Sequence, residues 1–324
     1  MLKVSDLHGQ AKTRLGEAPG NPKKLVLIHT AIALGGSLFL TVITYLLDHL
    51  IANTGGLGGL GTRSMLTTID TVLTRVFSIA LPFWQVGIFY AALQWISREQ
   101  AIFGSLLQGF RRFGAVLGLL FLRGGLFFAL GIPLSFISAT IFLLTPFSGP
   151  YMEQLTSMME SNFTSEQLEL MTPEVTAAML QGVAPLLIIF GVLYLAVAIP
   201  LFYRIRFADF AVLDGLPAGR AMVKSFAITR KSCMQVWKVD LSFWWFYLLQ
   251  ILSVSLCNMG AFFPLLGISL PISDTVVALA LYILGTVFQT VLLWQYEARR
   301  VTVYGLTYRT LDGTLDSDAV DTAA

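Results

Sequence analysis

The sequence predicts an all-α fold: a polytopic transmembrane helical bundle of about six spans, with amphipathic helices at its cytoplasmic interface. Three observations point there. The 324 residues are 56% hydrophobic and only 12% charged, too few charges to cover a soluble core of that apolar content. Six apolar runs have the length that a hydrocarbon core of about 30 Å demands of a helix. The basic residues also gather on one side of those runs.

Five runs, 25–47, 76–96, 124–144, 183–203 and 275–296, contain no Lys, Arg, Asp or Glu. A sixth, 241–257, is slightly short, but uncharged residues continue to Ser273 and can extend it. The connections then set the orientation. Of the 21 basic residues, all but Arg63, Arg75 and Arg123 fall in the N-terminal segment, the second and fourth connections or the C-terminal stretch. The positive-inside rule therefore places both termini in the cytoplasm and the chain in the cell (cytoplasmic) membrane. The resulting layout is a cytoplasmic amphipathic segment 1–24, a membrane domain 25–296 and a cytoplasmic tail 297–324. The first 24 residues are polar, and the run after them is too long for the apolar core of a signal peptide.

The external connection 145–182 carries Glu153, Glu160, Glu166, Glu169 and Glu174 and neither Lys nor Arg. Thr164 with Gln167 fits a capping box, and Thr172–Pro173–Glu174 reads as a helix start with proline in the first turn. Short surface helices are expected there, either as a solvated hairpin or as an acidic cap that attracts cations or a partner.

Each outward-going span follows a short basic segment with interleaved apolar residues. In the middle one, 97–112, Ile102, Leu106, Leu107 and Phe110 lie at helical spacing. In the longest, within 204–238, Ala221, Val223, Phe226 and Ile228 alternate with Arg220, Lys224, Arg230 and Lys231. That pattern suits helices lying in the headgroup layer, and these four basic residues are the candidate contacts to anionic lipid. The threefold recurrence admits a parallel repeat of hairpins, although positive-inside bias alone produces part of it.

Three stretches resemble a family of bacterial membrane proteins known as domain of unknown function 975. They are LLQGFRRFGAVL at 106–117, AIPLFYRIRFADFAVLD at 198–214, and 225–252, within which KVDLSFWWFYLLQIL is the closest likeness. The chain departs from the family pattern at Leu201 and Gln295 and in a longer external loop. The resemblance implies the architecture and brings no activity with it.

Polar groups within the apolar runs are the remaining candidates for function. Ionisable residues at membrane depth are costly and mark pathways or pairs. Arg123 follows Arg112 by 11 residues, about 16 Å along a helix. If the third span starts near Phe113, Arg123 lies deep and needs an acidic or carbonyl partner; if it starts near Arg123, the side chain snorkels to the interface. Asp240 at the start of the fifth span is the candidate partner for Arg123 or Lys238. Pro82, Pro133, Pro185 and Pro200 read either as tolerated kinks or as broken helices that expose carbonyls. Glu297 with Arg299 and Arg300 reads as the end of the last span.

No metal or cofactor is expected. Cys233 and Cys257 are isolated, and His8, His29 and His49 are scattered. No nucleophile–base pair, carboxylate cluster or phosphate-binding loop points to an enzyme, and nothing points to nucleic acid. Two classes of function stay open. One is a transport-related protein, a permease or the membrane subunit of a larger transporter, for a lipid or apolar substrate and with a partner ATPase. The other is a non-transporting protein that organises membrane, binds lipid or assists assembly and stress protection. Against transport stands the scarcity of charge within the spans.

Overall fold

A computed structural model describes residues 3–53, 59–146, 148–149, 152–153, 156, 173–262 and 274–314. Twelve helices are defined along these residues. They are α1 (Val4–Glu17), α2 (Pro22–Asn53), α3 (Gly59–Ile96), α4 (Phe103–Leu106), α5 (Gln108–Arg111) and α6 (Phe113–Leu143), followed by α7 (Pro173–Ile205), α8 (Ala208–Leu213), α9 (Ala218–Thr229), α10 (Cys233–Leu241), α11 (Trp244–Phe262) and α12 (Asp274–Asp312). The chain is an all-α, multi-pass membrane protein. Five stretches are long and apolar enough to cross a bilayer: Pro22–Thr44, Met65–Ile96, Phe113–Leu143, Val183–Leu213 and Leu279–Asp312. The pair Cys233–Leu241 and Trp244–Asn258, bent by 60°, is apolar and long enough only when its two arms are taken together, as a broken span or a re-entrant loop.

Local chemistry explains the ends. At the start of α2, Asn21 accepts the backbone N–H of Lys24 at 3.1 Å, and Pro22 occupies the first helical position, where no N–H is needed. Pro173 opens α7 in the same way. From Pro173 onward the connection holds no separate short helix, because α7 runs unbroken through the fourth span to Ile205. Of the stretch before it, residues 148–149, 152–153 and 156 are described and are helical. The proposed Thr164–Gln167 box lies outside the described residues. Pro82, Pro133, Pro185 and Pro200 all sit inside continuous helices, so none of them interrupts a span.

The chain divides into two compact units, 1–119 with 206–324 and 120–205. In the first, α12 is packed against α1, α2, α3, α9, α10 and α11. The α3 stripe Trp84, Ile88, Ala91, Ala92 and Trp95 meets Ala298 and Val301 of α12 and Leu106 of α4, a spacing that turns one helical face inward. Helices α11 and α12 approach closely where Ser253 donates to the carbonyl of Gly285 at 2.9 Å. A Cβ on Gly285 would overlap Cys257, the small-residue contact favoured where apolar burial gives no net drive.

The segment 97–112 differs from its expected form as one interfacial helix. It breaks at Leu107 into the single-turn helices α4 and α5. Leu106 is fully buried, and the backbones touch: a Cβ on Gly109 would overlap the carbonyl of Phe83, and one on Gly87 that of Leu106. Protein rather than lipid covers this face, while Ile102, Phe103 and Phe110 stay exposed.

The second unit holds α6 from Leu120 onward and all of α7. Arg123 meets Ile205, and Gly131 comes within contact of Tyr194, so numbering rises on one helix as it falls on the other and the pair is antiparallel. Phe121, Phe128, Phe136, Ile188 and Val192 are exposed, as lipid-facing side chains are.

Candidate functional site

The most polar part of the interior lies where the last span was expected to have ended. Helix α12 continues without a break for 39 residues, about 58 Å at 1.5 Å per residue. Residues 301–308 are buried on every face. The stretch read as the beginning of a tail at 297–324 is therefore helix and core as far as Asp312, and 315–324 lie outside the described residues. Glu297, Arg300, Tyr304 and Tyr308 recur at three- and four-residue spacing, which places them along one side of the rod.

Asp240, on the last turn of α10, is 8% exposed. Its carboxylate accepts the hydroxyls of Tyr304 and, at 3.3 Å, Tyr247. Arg206 lies 3.5 Å from the same carboxylate and 4.6 Å over the Tyr304 ring. The two tyrosine hydroxyls are 2.8 Å apart. One turn earlier on α12, Arg300 donates two hydrogen bonds to Glu297, at 2.8 and 2.7 Å, in the fork geometry that makes such pairs strong. The Arg300 guanidinium also lies 5.4 Å from the Phe246 ring centre and 5.7 Å from that of Tyr304. Gln85 hydrogen-bonds Glu297, and His29 lies beside it. The His29 ring stacks on Trp84 at 5.5 Å, and Trp84 donates to the His29 carbonyl at 3.0 Å. Two carboxylates and two guanidiniums thus balance one another in a poorly hydrated place, where an unpaired charge would be expensive.

A second cluster follows on the next turns. Lys224 donates to Asp312 at 2.8 Å and lies 3.8 Å from Asp214. Arg309 reaches Asp214 at 3.2 Å, and the Tyr308 hydroxyl donates to the same carboxylate. Lys224 is held by acids, whereas Arg220, Arg230 and Lys231 stay exposed. The face of α9 that packs inward is small and polar: Ala221, Ser225 and Thr229.

Arg123 finds a carbonyl. Its Nη2 donates to Ile205 O at 3.1 Å, at the C-terminus of α7, where helix carbonyls lack intrahelical partners and the dipole favours a cation. Arg112 does the same for α8, donating to Val212 O at 2.6 Å. For Asp240 the structure supplies Arg206, Tyr247 and Tyr304. Sequence reasoning passed over Arg206, Arg300, Tyr304 and Tyr308. The signal was the helical spacing beyond Tyr296, which becomes visible once the last helix is not ended at the first charge.

Outside the membrane segments, His8 of α1 meets the α10–α11 corner. Its Nε2 is 2.8 Å from Ser242 Oγ, and that hydroxyl donates to Val239 O at 2.6 Å. The Ser242 hydroxyl thus bridges the His8 ring and the carbonyl of Val239. Burial, followed by the charge of Arg299, holds this imidazole below its ordinary value of 6.5. Among the described residues, no group of three or more His, Cys, Asp or Glu is placed to hold a metal ion.

The class these features define is a multi-pass, all-α membrane protein with a buried, charge-balanced polar cluster. Compared with protein-family models, curated proteins and solved structures, the chain finds no match.

Proposed function

We propose that the chain is a transport-related protein of the cell membrane, with both termini in the cytoplasm. It acts as a permease or as the membrane subunit of a larger transporter with a partner ATPase, handling a lipid or apolar substrate. The observation that carries this reading is the cluster Asp240–Arg206–Tyr304–Arg300–Glu297. Ionisable groups on membrane helices concentrate where something passes or where helices change partners. Two acids and two guanidiniums gathered around the Tyr304 side chain are the kind of ion-pair set that is repacked when packed helices shift. The cluster also answers the scarcity of charge that the individual spans show.

One observation favours a second reading, a lipid-binding or membrane-organising protein: the exposed basic groups beside α9 and α10. Co-purification from native membranes in a mild detergent, read by mass spectrometry of proteins and lipids, separates the two. An ATP-binding subunit recovered at constant stoichiometry supports transport. Lipid alone, together with no flux of any retained compound in proteoliposomes, would overturn it.

A further inference from the structure

A groove of about 400 Å³ lies between the start of α1 and the start of α10, lined by Lys3, Lys231, Ser232, Met234, Gln235 and Lys238 among others. Its three lysines are exposed, and none of them makes an ion pair among the described residues. This sets them apart from Lys224, whose charge is already matched by Asp312. Three uncompensated ammonium groups around one concavity repel one another, and the arrangement relaxes when a polyvalent anion enters.

The surface leading away from the groove identifies the anion. Met234, Lys238 and Leu241 lie at spacings of four and three, on one face of α10. Lys231 stands in the turn just before α10, and Trp245 on α11 just past the bend. Met234 is 63% exposed, Leu241 51% and Trp245 61%. Exposed apolar and aromatic side chains thus stand beside the groove lysines along the bent pair of α10 and α11. A free phosphate or nucleotide would have no use for that apolar continuation. A phospholipid matches both ends, with its phosphate among the lysines and its glycerol and upper acyl carbons along Met234, Leu241 and Trp245.

We propose that the groove bounded by Lys3, Lys231 and Lys238 is a binding site for the phosphate of an acidic phospholipid in the adjoining leaflet. It orders α1 against α10 by holding lysines from both. This site is independent of the transport reading and stands or falls separately from it.

The test uses the full chain, purified in neutral detergent and titrated with phosphatidylglycerol in phosphatidylcholine nanodiscs, with bound lipid counted by native mass spectrometry. The wild type should retain phosphatidylglycerol in preference to phosphatidylcholine. The triple variant Lys3→Gln, Lys231→Gln, Lys238→Gln should bind it roughly 100-fold more weakly, the loss expected of three lysine attractions at an anionic surface. Exchanging the same three for arginine should keep binding within about threefold, because the charge survives. A control triple, Lys12→Gln, Lys23→Gln, Lys24→Gln, removes equal charge from other exposed positions and should bind as the wild type does. An equal loss in the control would show general charge attraction and sink the site. So would indifference between the two lipids, or full displacement of the lipid by millimolar inorganic phosphate.

Discussion

The guanidinium of Arg123 donates to the carbonyl oxygen of Ile205 across 3.1 Å, joining the eleventh residue of α6 to the last residue of α7. It thereby satisfies a terminal carbonyl that has no partner within its own helix. Arg123→Ala should cost about 1–2 kcal/mol of stability, the range of a hydrogen bond from a charged donor together with a helix-end charge effect. Arg123→Lys should recover most of it. Thermal unfolding in detergent reads both. A loss above about 3 kcal/mol would instead indicate a buried ion pair.

Asp240 is expected to behave differently. Asp240→Ala leaves the Arg206 guanidinium and two tyrosine hydroxyls without the acceptor they share. Breaking such a pair from one side typically costs about 3–5 kcal/mol, while replacing both charges costs much less. The double variant Asp240→Ala, Arg206→Met should therefore be more stable than Asp240→Ala alone. Additive losses in that cycle would remove the coupling.

The backbone contact between α3 and α5 makes a sharp prediction at glycine. Gly109→Ala would drive its methyl into the Phe83 carbonyl, and Gly87→Ala would do so into Leu106. Each should lose more than about 3 kcal/mol or fail to accumulate, since neither obstacle is a flexible side chain. Gly114→Ala and Gly124→Ala meet nothing within 4 Å and should be neutral or gain up to about 1 kcal/mol from helix propensity.

His8 gives stability a pH dependence of defined sign. Its folded value is lowered, so the folded protein takes up the proton less readily than the unfolded chain. The contribution is complete above the ordinary value of 6.5 and is lost as pH falls below it. Between pH 7.5 and 5.5 the melting temperature should fall further for the wild type than for His8→Gln. Parallel curves would take His8 out of the account.

Topology is checked by labelling. In a background lacking Cys233 and Cys257, Ser157→Cys should react from outside the cell and Ser317→Cys only from inside. The reverse pattern would invert the orientation.

Much of the architecture was legible because length and apolarity are properties of single segments. The runs 25–47, 183–203 and 275–296 each lie inside a helix or coincide with most of one. The fifth span was legible only in part. Nothing in DLSFW announces a 60° bend, which falls just after Ser242, where Phe243 bonds Asp240 O three residues back and where His8, over 200 residues away, meets the Ser242 hydroxyl. The polar clusters were hidden for a related reason. Arg206 reads as one more positive-inside charge, and only folding places it over Tyr304. Lys224 likewise reads as a headgroup contact until Asp214 and Asp312 arrive from two other segments. Gly87 and Gly109 carry no local signal, because a glycine needed for close approach looks like any other.

The unbroken length of α12 links bilayer and interior mechanically. No proline falls between Asp274 and Asp312, and a rod of about 58 Å tilted by about 10° around its middle moves each end by roughly 5 Å. A membrane helix adjusts to a thinner bilayer by tilting. A tilt of α12 against its neighbours moves Tyr304 and Tyr308 relative to Asp240 and Asp214, while Glu297 and Arg300 travel together on the same helix. The length of α12 thus ties any such tilt to the hydrogen bonds that its two buried tyrosines make with acids from other segments.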